Sequence, residues 1–293
     1  MAKGKIIKAL SGFYYVLDEG QVIQCRGRGV FRKNKITPLV GDTVIYEADH
    51  DKEGYIMEVL DRKNELQRPP IANVDQGMIV FSAKEPNFSD RLLDRFLVIL
   101  AFNQIEPLIC ITKMDLLDEQ EQVIIEKAVE AYRTIGYNVI LTSSQTKEGI
   151  ESLRTFLSGK TSVFAGQSGV GKSTLLNALR PDLNLKTSEI STHLGRGKHT
   201  TRHVELIAIE NGLVADTPGF SSIELTMIEK EQLATLFPEM LMRRGKCKFR
   251  GCLHENEPQC AVKLAVEAGE IPSFRYHNYL HFLKEIKERK PRY

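Results

Sequence analysis

One octapeptide constrains this chain more than any other feature. Gly166-Gln167-Ser168-Gly169-Val170-Gly171-Lys172-Ser173 fits the pattern G-x-x-x-x-G-K-[ST]. The apolar run TSVFA precedes it and KSTLLNAL follows, so the segment must fold as strand, tight turn and helix. The glycines let the backbone curl with its N–H groups inward, which makes an anion-binding concavity. The following helix points its positive N-terminus at the same place. Lys172 would reach the β and γ oxygens of a bound nucleotide, the Ser173 hydroxyl would take one position on Mg²⁺, and Thr174 completes the loop.

The neighbouring sequence supplies the sheet that such a loop needs. GMIVFSA and PLICITKMD are near-continuous apolar runs, the pattern of strands buried on both faces of a parallel sheet. Between them Ser89 can cap a helix carrying Leu92, Leu93, Phe96, Leu97 and Leu100. A second helix fits Glu119–Thr134, stopped by Gly136, and a third lies near Gly149–Ser158. With YNVILTSS, VELIAIE and GLVADTPG as further strands, residues 66–228 are predicted to form a doubly wound α/β domain.

The phosphate loop alone does not select guanine over adenine. Thr112-Lys113-Met114-Asp115 ends the strand PLICI and fits the [NT]KxD element that reads guanine. A carboxylate at Asp115 accepts from N1–H and the exocyclic amine, where adenine offers an acceptor at N1. The Lys113 stem would lie along the base. Thr142-Ser143-Ser144 closes the next strand and would support the base through its backbone. Asp216-Thr217-Pro218-Gly219 fits D-x-x-G, with Asp216 holding Mg²⁺ through water and the Gly219 N–H meeting the γ-phosphate. In the intervening segment Thr200 or Thr201 is the candidate Mg²⁺ ligand. Phe220 stands where many GTPases carry the glutamine that orients water, so His199 or a group from a partner is the candidate for that task. The alternatives are a phosphate-loop ATPase or kinase, which TKMD disfavours, and a nucleotide-regulated RNA-binding module without meaningful hydrolysis, which Phe220 favours.

The order of these elements is unusual: the guanine reader precedes the phosphate loop. A site depends on which strand ends meet at the rim of the sheet, not on succession along the chain. The sequence therefore reads as a circularly permuted GTPase domain, with D-x-x-G leading directly into the C-terminal region, through which nucleotide state could move that region.

The flanks are of different kinds. Residues 1–65 hold five short strand-like runs, KIIKAL, FYYVLD, QVIQCR, DTVIYEA and YIMEVL, parted by turn chemistry. A small closed barrel of oligonucleotide-binding type is expected, and an SH3-like barrel would present the same pattern. Residues 229–293 read as helical around Cys247, Cys252, His254 and Cys260, three thiolates and an imidazole suited to one structural Zn²⁺. Cys25 and Cys110 stand alone in apolar settings, as buried small hydrophobes do. Formal net charge is only +2, yet Gln21–Lys35 holds Arg26, Arg28, Arg32, Lys33 and Lys35 without an acid, and Arg243, Arg244, Lys246, Lys248 and Arg250 crowd the cysteine cluster. No run approaches the roughly 20 apolar residues of a membrane span, and no signal peptide is apparent, so a cytoplasmic location is expected.

Taken together, the barrel, the order TKMD, GQSGVGKST, DTPGF, and the segment CKFRGCLHENEPQC resemble one family along the whole chain: the bacterial ribosome small subunit-dependent GTPase A family of small-subunit biogenesis GTPases. The resemblance implies GTP hydrolysis to GDP and phosphate stimulated by the small ribosomal subunit, a role in its late maturation, and rRNA contact through barrel and zinc domain. A monomer without membrane attachment is the matching expectation. Phe220 fits the family's hydrophobic replacement of glutamine.

Overall fold

The computed structural model describes residues 1–50, 53–67, 69–183, 204–215 and 224–289. Five strands form the N-terminal barrel: β1 (Ala2–Leu10), β2 (Phe13–Asp18), β3 (Gln21–Gly27), β4 (Thr43–His50) and β5 (Glu53–Val59). They close in the order β1-β2-β3-β5-β4, with β3 parallel to β5 and the other pairs antiparallel. Alternate residues Ile6, Val16, Ile23, Cys25, Val44 and Ile56 fill the interior, as period-two patterning requires. A five-residue helix, α1 (Gly29–Lys33), lies between β3 and β4 and buries Phe31; no helical period in the sequence marked it. This order with its intervening helix is the oligonucleotide-binding arrangement.

A short hairpin, β6 (Glu65–Gln67) and β7 (Pro70–Ala72), joins the barrel to the central domain. There six strands pair in the order β10-β9-β8-β11-β13-β12: β8 (Gln76–Ser82), β9 (Glu106–Thr112), β10 (Asn138–Leu141), β11 (Thr161–Ala165), β12 (Leu206–Ile209) and β13 (Gly212–Ala215). Five are parallel, and the edge strand β12 runs antiparallel to β13, to which a two-residue turn at Glu210–Asn211 joins it. Successive residues of β8 point to opposite faces. Ile79 and Phe81 pack under α2 (Asp90–Phe102) and α3 (Glu119–Ile135). Met78 and Val80 pack under α4 (Ile150–Leu157) and α5 (Lys172–Leu179). Helices on both faces are the doubly wound arrangement. Ser89 accepts from the Leu92 N–H at the start of α2, and Gly136 ends α3 with a left-handed φ of 110°.

The barrel docks beneath this sheet, away from the strand ends that carry the motifs. Lys5 donates to Thr161 Oγ1 at 2.8 Å, at the N-terminal end of β11, and Lys8 pairs with Glu205 at 3.0 Å beside β12.

The C-terminal region is helical: α6 (Lys230–Leu233), α7 (Pro238–Leu241), α8 (Ala261–Glu267) and α9 (Ser273–Glu288). Leu233, Phe237, Met240, Val262, Tyr279, Phe282 and Leu283 form its own core, and Val98 of α2 reaches into it. Among the described residues no helix is long and apolar enough to cross a membrane.

Candidate nucleotide site and metal centre

The parallel strands β9, β8 and β11 lie side by side, so their C-terminal ends share one rim. The base-reader motif leaves β9 and the phosphate loop leaves β11. Thr112 Oγ1 donates to the Val170 carbonyl at 2.6 Å, joining the two motifs directly. Reversed chain order thus has no consequence for where the motifs meet.

In the phosphate loop, Gly166 and Gly171 have φ of 143° and 91°. A Cβ at Gly166 would stand 2.2 Å from the Val80 carbonyl oxygen, so this turn closes against β8 only with glycine. Val170 is buried in the core below, while Gln167, Ser168 and Gly169 face solvent and Thr174 is exposed. Lys172 Nζ donates to the carbonyls of Gly166 at 2.8 Å and Gln167 at 2.6 Å, which places its ammonium across the loop. Ser173 is nearly buried at the first turn of α5.

In the base reader, Lys113 has left-handed backbone (φ 60°) and its ammonium donates to the Glu85 carbonyl. Asp115 is exposed at the rim. The Met114 N–H donates to the Thr142 carbonyl at 3.4 Å, so the support segment after β10 touches the reader. Thr142 and Ser143 are buried and Ser144 is half-buried. Predicted residues Thr112, Lys113, Met114, Asp115, Thr142, Ser143, Ser144 and Gly166–Thr174 therefore gather on one rim. His199, Thr200, Thr201, Asp216, Gly219 and Phe220 lie outside the described residues; Ala215, the residue before Asp216, ends β13 beside β11.

Sequence reasoning passed over residues 84–88, which run from the end of β8 between the two motifs and provide the carbonyl that holds Lys113. No motif flagged them, because their contribution is backbone.

The second centre is built from one loop and one helix start. The ligand atoms of Cys247, Cys252, His254 and Cys260 all lie within 4.8 Å of one another. Cys247 Sγ is 3.9 Å from Cys260 Sγ and 3.6 Å from His254 Nδ1, and His254 Nδ1 is 3.2 Å from Cys260 Sγ. A tetrahedron with zinc–sulfur bonds of about 2.3 Å has edges of roughly 3.8 Å, so the donor set fits such an ion. Burial pushes the Cys252 thiol up to about 12 and holds His254 below the usual imidazole range. A neutral imidazole is ready to ligate, whereas the Cys252 and Cys260 thiols, both raised by burial, need a cation beside them to ionise. The hydroxyl of Tyr276 donates to the His254 carbonyl at 2.7 Å, and Tyr279 does the same for Leu253, anchoring the loop to α9.

Comparison with known proteins places the chain in a family. A family model described as the RsgA GTPase matches residues 59–226, more than half of the chain, and the RsgA N-terminal domain matches residues 3–56. The chain belongs to the RsgA GTPase family. It is accordingly a GTP hydrolase, and the family implies GTP, GDP and Mg²⁺. Small ribosomal subunit biogenesis GTPase RsgA of Geobacillus sp. (strain WCH70) is 66% identical over 293 residues, covering 100% of both chains. Its namesake in Bacillus subtilis (strain 168) is 62% identical over 298 residues, again covering 100% of both. The crystal structure of YloQ, a circularly permuted GTPase, superposes with a TM-score of 0.87 at 57% identity, covering 100% of this chain and 97% of that one. YjeQ from Thermotoga maritima gives 0.88 at 39% identity, covering 99% of each. The likeness to these relatives thus runs the whole length of the chain, through barrel, permuted domain and C-terminal helices.

Proposed function

We propose that this chain hydrolyses GTP on the small ribosomal subunit, during late maturation of that subunit, and that the subunit stimulates the reaction. Two readings support this: the names of relatives matched over the full length, and the rim on which base reader and phosphate loop meet through Thr112 and Val170.

In this reading Asp115 accepts from the guanine edge, the Lys113 stem covers the base, and the backbone at Thr142–Ser144 supports it. The N–H groups of the phosphate loop and Lys172 hold the β and γ oxygens. Ser173, Asp216 and Thr200 or Thr201 would hold Mg²⁺, which when bound would offset negative charge on the nucleotide phosphates. The Gly219 N–H meets the γ-phosphate. Phe220 has no group to orient water, so turnover by the chain alone is slow, and His199 or a group of the subunit supplies that orientation.

The cysteine cluster holds one structural Zn²⁺, since four protein donors leave no open position. Two cationic faces contact rRNA phosphates. On the barrel Arg26 packs over Phe13, at 4.8 Å from the ring centre, and Arg28, Lys33 and Lys35 are exposed. Beside the cluster Arg243 is tied to Glu270 at 2.7 Å, which leaves Arg244, Lys246, Lys248 and Arg250 exposed. Binding dominated by such contacts weakens as salt rises. The protein acts as a cytoplasmic monomer.

The test is GTP turnover with small subunits, with large subunits and with neither. Stimulation by small subunits alone is expected; equal rates in the three arms would overturn the reading.

A further inference from the structure

The segment joining β8 to α2 occupies the gap between the two halves of the nucleotide rim. On one side the Lys113 ammonium donates to the Glu85 carbonyl. On the other, the Pro86 ring lies 4.0 Å from where a Cβ at Gly169 would stand. Both partners of the Lys113–Glu85 hydrogen bond have left-handed backbone, φ 60° and 55°, which residues other than glycine avoid. Contacts from elsewhere must therefore hold this geometry.

The most direct such contact is Ser82, the last residue of β8. Its hydroxyl donates to the Pro86 carbonyl at 2.6 Å, and its side chain is almost wholly buried. Ser82 stands in register with Thr112 on β9, and the Ala83 N–H donates to the Thr112 carbonyl at 2.9 Å. Its hydroxyl is thus a fixed point of the sheet from which the loop is hung. Phe88, packed edge-on against Phe81 at 5.9 Å, secures the far end of the loop.

We propose that Ser82 is a positioning residue for guanine recognition. By holding the Pro86 carbonyl it directs the adjoining Glu85 carbonyl at Lys113, and so fixes the lysine stem that covers the base. This role rests on Thr112–Asp115 being the base reader. Ser82 touches no phosphate-loop residue among its described hydrogen bonds, so its effect falls on nucleotide affinity and not on the chemical step.

The experiment uses the full chain and a fluorescent GDP analogue, with unlabelled GDP, GTP and ADP as competitors. Ser82→Ala, Ser82→Thr, Lys113→Ala and the double variant Ser82→Ala/Lys113→Ala are compared. Loss of one buried hydrogen bond in Ser82→Ala is expected to weaken GDP and GTP alike by about fivefold. Turnover at saturating GTP stays unchanged, and Ser82→Thr, which keeps the hydroxyl, restores affinity. The double variant binds no more weakly than Lys113→Ala alone, because both changes remove the same contact. A lowered unfolding midpoint for Ser82→Thr would mark crowding by its extra methyl, and the double-variant comparison then decides alone. Unchanged affinity in Ser82→Ala, or losses that simply add in the double variant, would overturn the role of Ser82 while wild-type preference for GDP over ADP leaves the base reader standing. Wild-type protein that binds ADP as tightly as GDP would overturn both together.

Discussion

Arg275 of α9 and Asp94 of α2 lie 181 residues apart in the chain and form an ion pair from which solvent is fully excluded. The same guanidinium donates to Glu239 of α7 at 2.7 Å through Nε and at 3.2 Å through Nη2. Asp94 also accepts from Tyr132 at 2.7 Å and from Asn278 at 2.7 Å, and the Phe237 ring lies 4.6 Å from the guanidinium carbon. Every strong acceptor and donor in the knot has a partner, the condition under which buried charge is tolerated. The C-terminal helices are therefore fastened to α2 and α3, not hung only from the chain that follows D-x-x-G.

Removing Arg275 would leave two carboxylates buried without their cation. Arg275→Met is expected to destabilise the protein by ~3–5 kcal/mol in urea unfolding. Glu285→Gln breaks a pair between the same two helices, with Arg95, but that carboxylate is 42% exposed. Its cost should stay below ~1 kcal/mol. Equal costs for the two changes would show that burial does not set the strength of this interface.

Acid should loosen the junction beneath the sheet. Burial alone would raise the Asp75 carboxyl, but the Thr161 N–H at 2.8 Å and the Lys63 ammonium at 3.1 Å outweigh it and hold the group below the usual carboxylate range. A depressed acid contributes stability that is present above its unfolded pKa and is lost as pH falls through its folded pKa. The contribution of Asp75 should thus fade below about pH 4. Asp75→Asn is expected to flatten that limb of a stability–pH curve; a limb unchanged by the substitution would contradict the assignment.

Legibility from sequence followed the range of the interactions. The five barrel strands, the alternation of the central domain and the caps at Ser89 and Gly136 depend on residues a few positions apart, and they were readable. Helix α1 was not, being one turn long and held by the burial of Phe31. In α9 Tyr279, Leu283 and Ile286 recur at helical spacing and are buried, yet Arg275 and Asn278 are buried with them. A basic residue beside an apolar stripe reads as solvated unless its partners are known, and Asp94 and Glu239 are far away in the chain. The Glu85 carbonyl shows the other limit, since a backbone group leaves no mark on residue type.

Glycine at 166 should be indispensable. Gly166→Ala places a methyl 2.2 Å from the Val80 oxygen on backbone of φ 143°. A penalty of about 1–3 kcal/mol, concentrated in the loop, corresponds to GDP binding weakened ~5–150-fold. Titration with fluorescent GDP checks this, and wild-type affinity would contradict the geometry.

Removing metal should separate the two centres. Chelation, or Cys260→Ser, is expected to release one zinc per chain and to abolish stimulation by small subunits. GDP affinity should hold within about twofold, because the cluster and the rim share no residue. Metal analysis and binding on the same sample test this; a large loss of GDP affinity would contradict the separation.

The pairing of Asp115 with the phosphate loop around a single nucleotide is tested most directly by exchanging the base. In xanthine a carbonyl replaces the exocyclic amine, so the Asp115→Asn amide can donate where the carboxylate had to accept. Competition binding of GDP and XDP to wild type and Asp115→Asn is the measurement. The expected result is reversal, GDP preferred by wild type and XDP by the variant. An Asp115→Asn protein that still prefers GDP would contradict the placement of guanine beside Asp115.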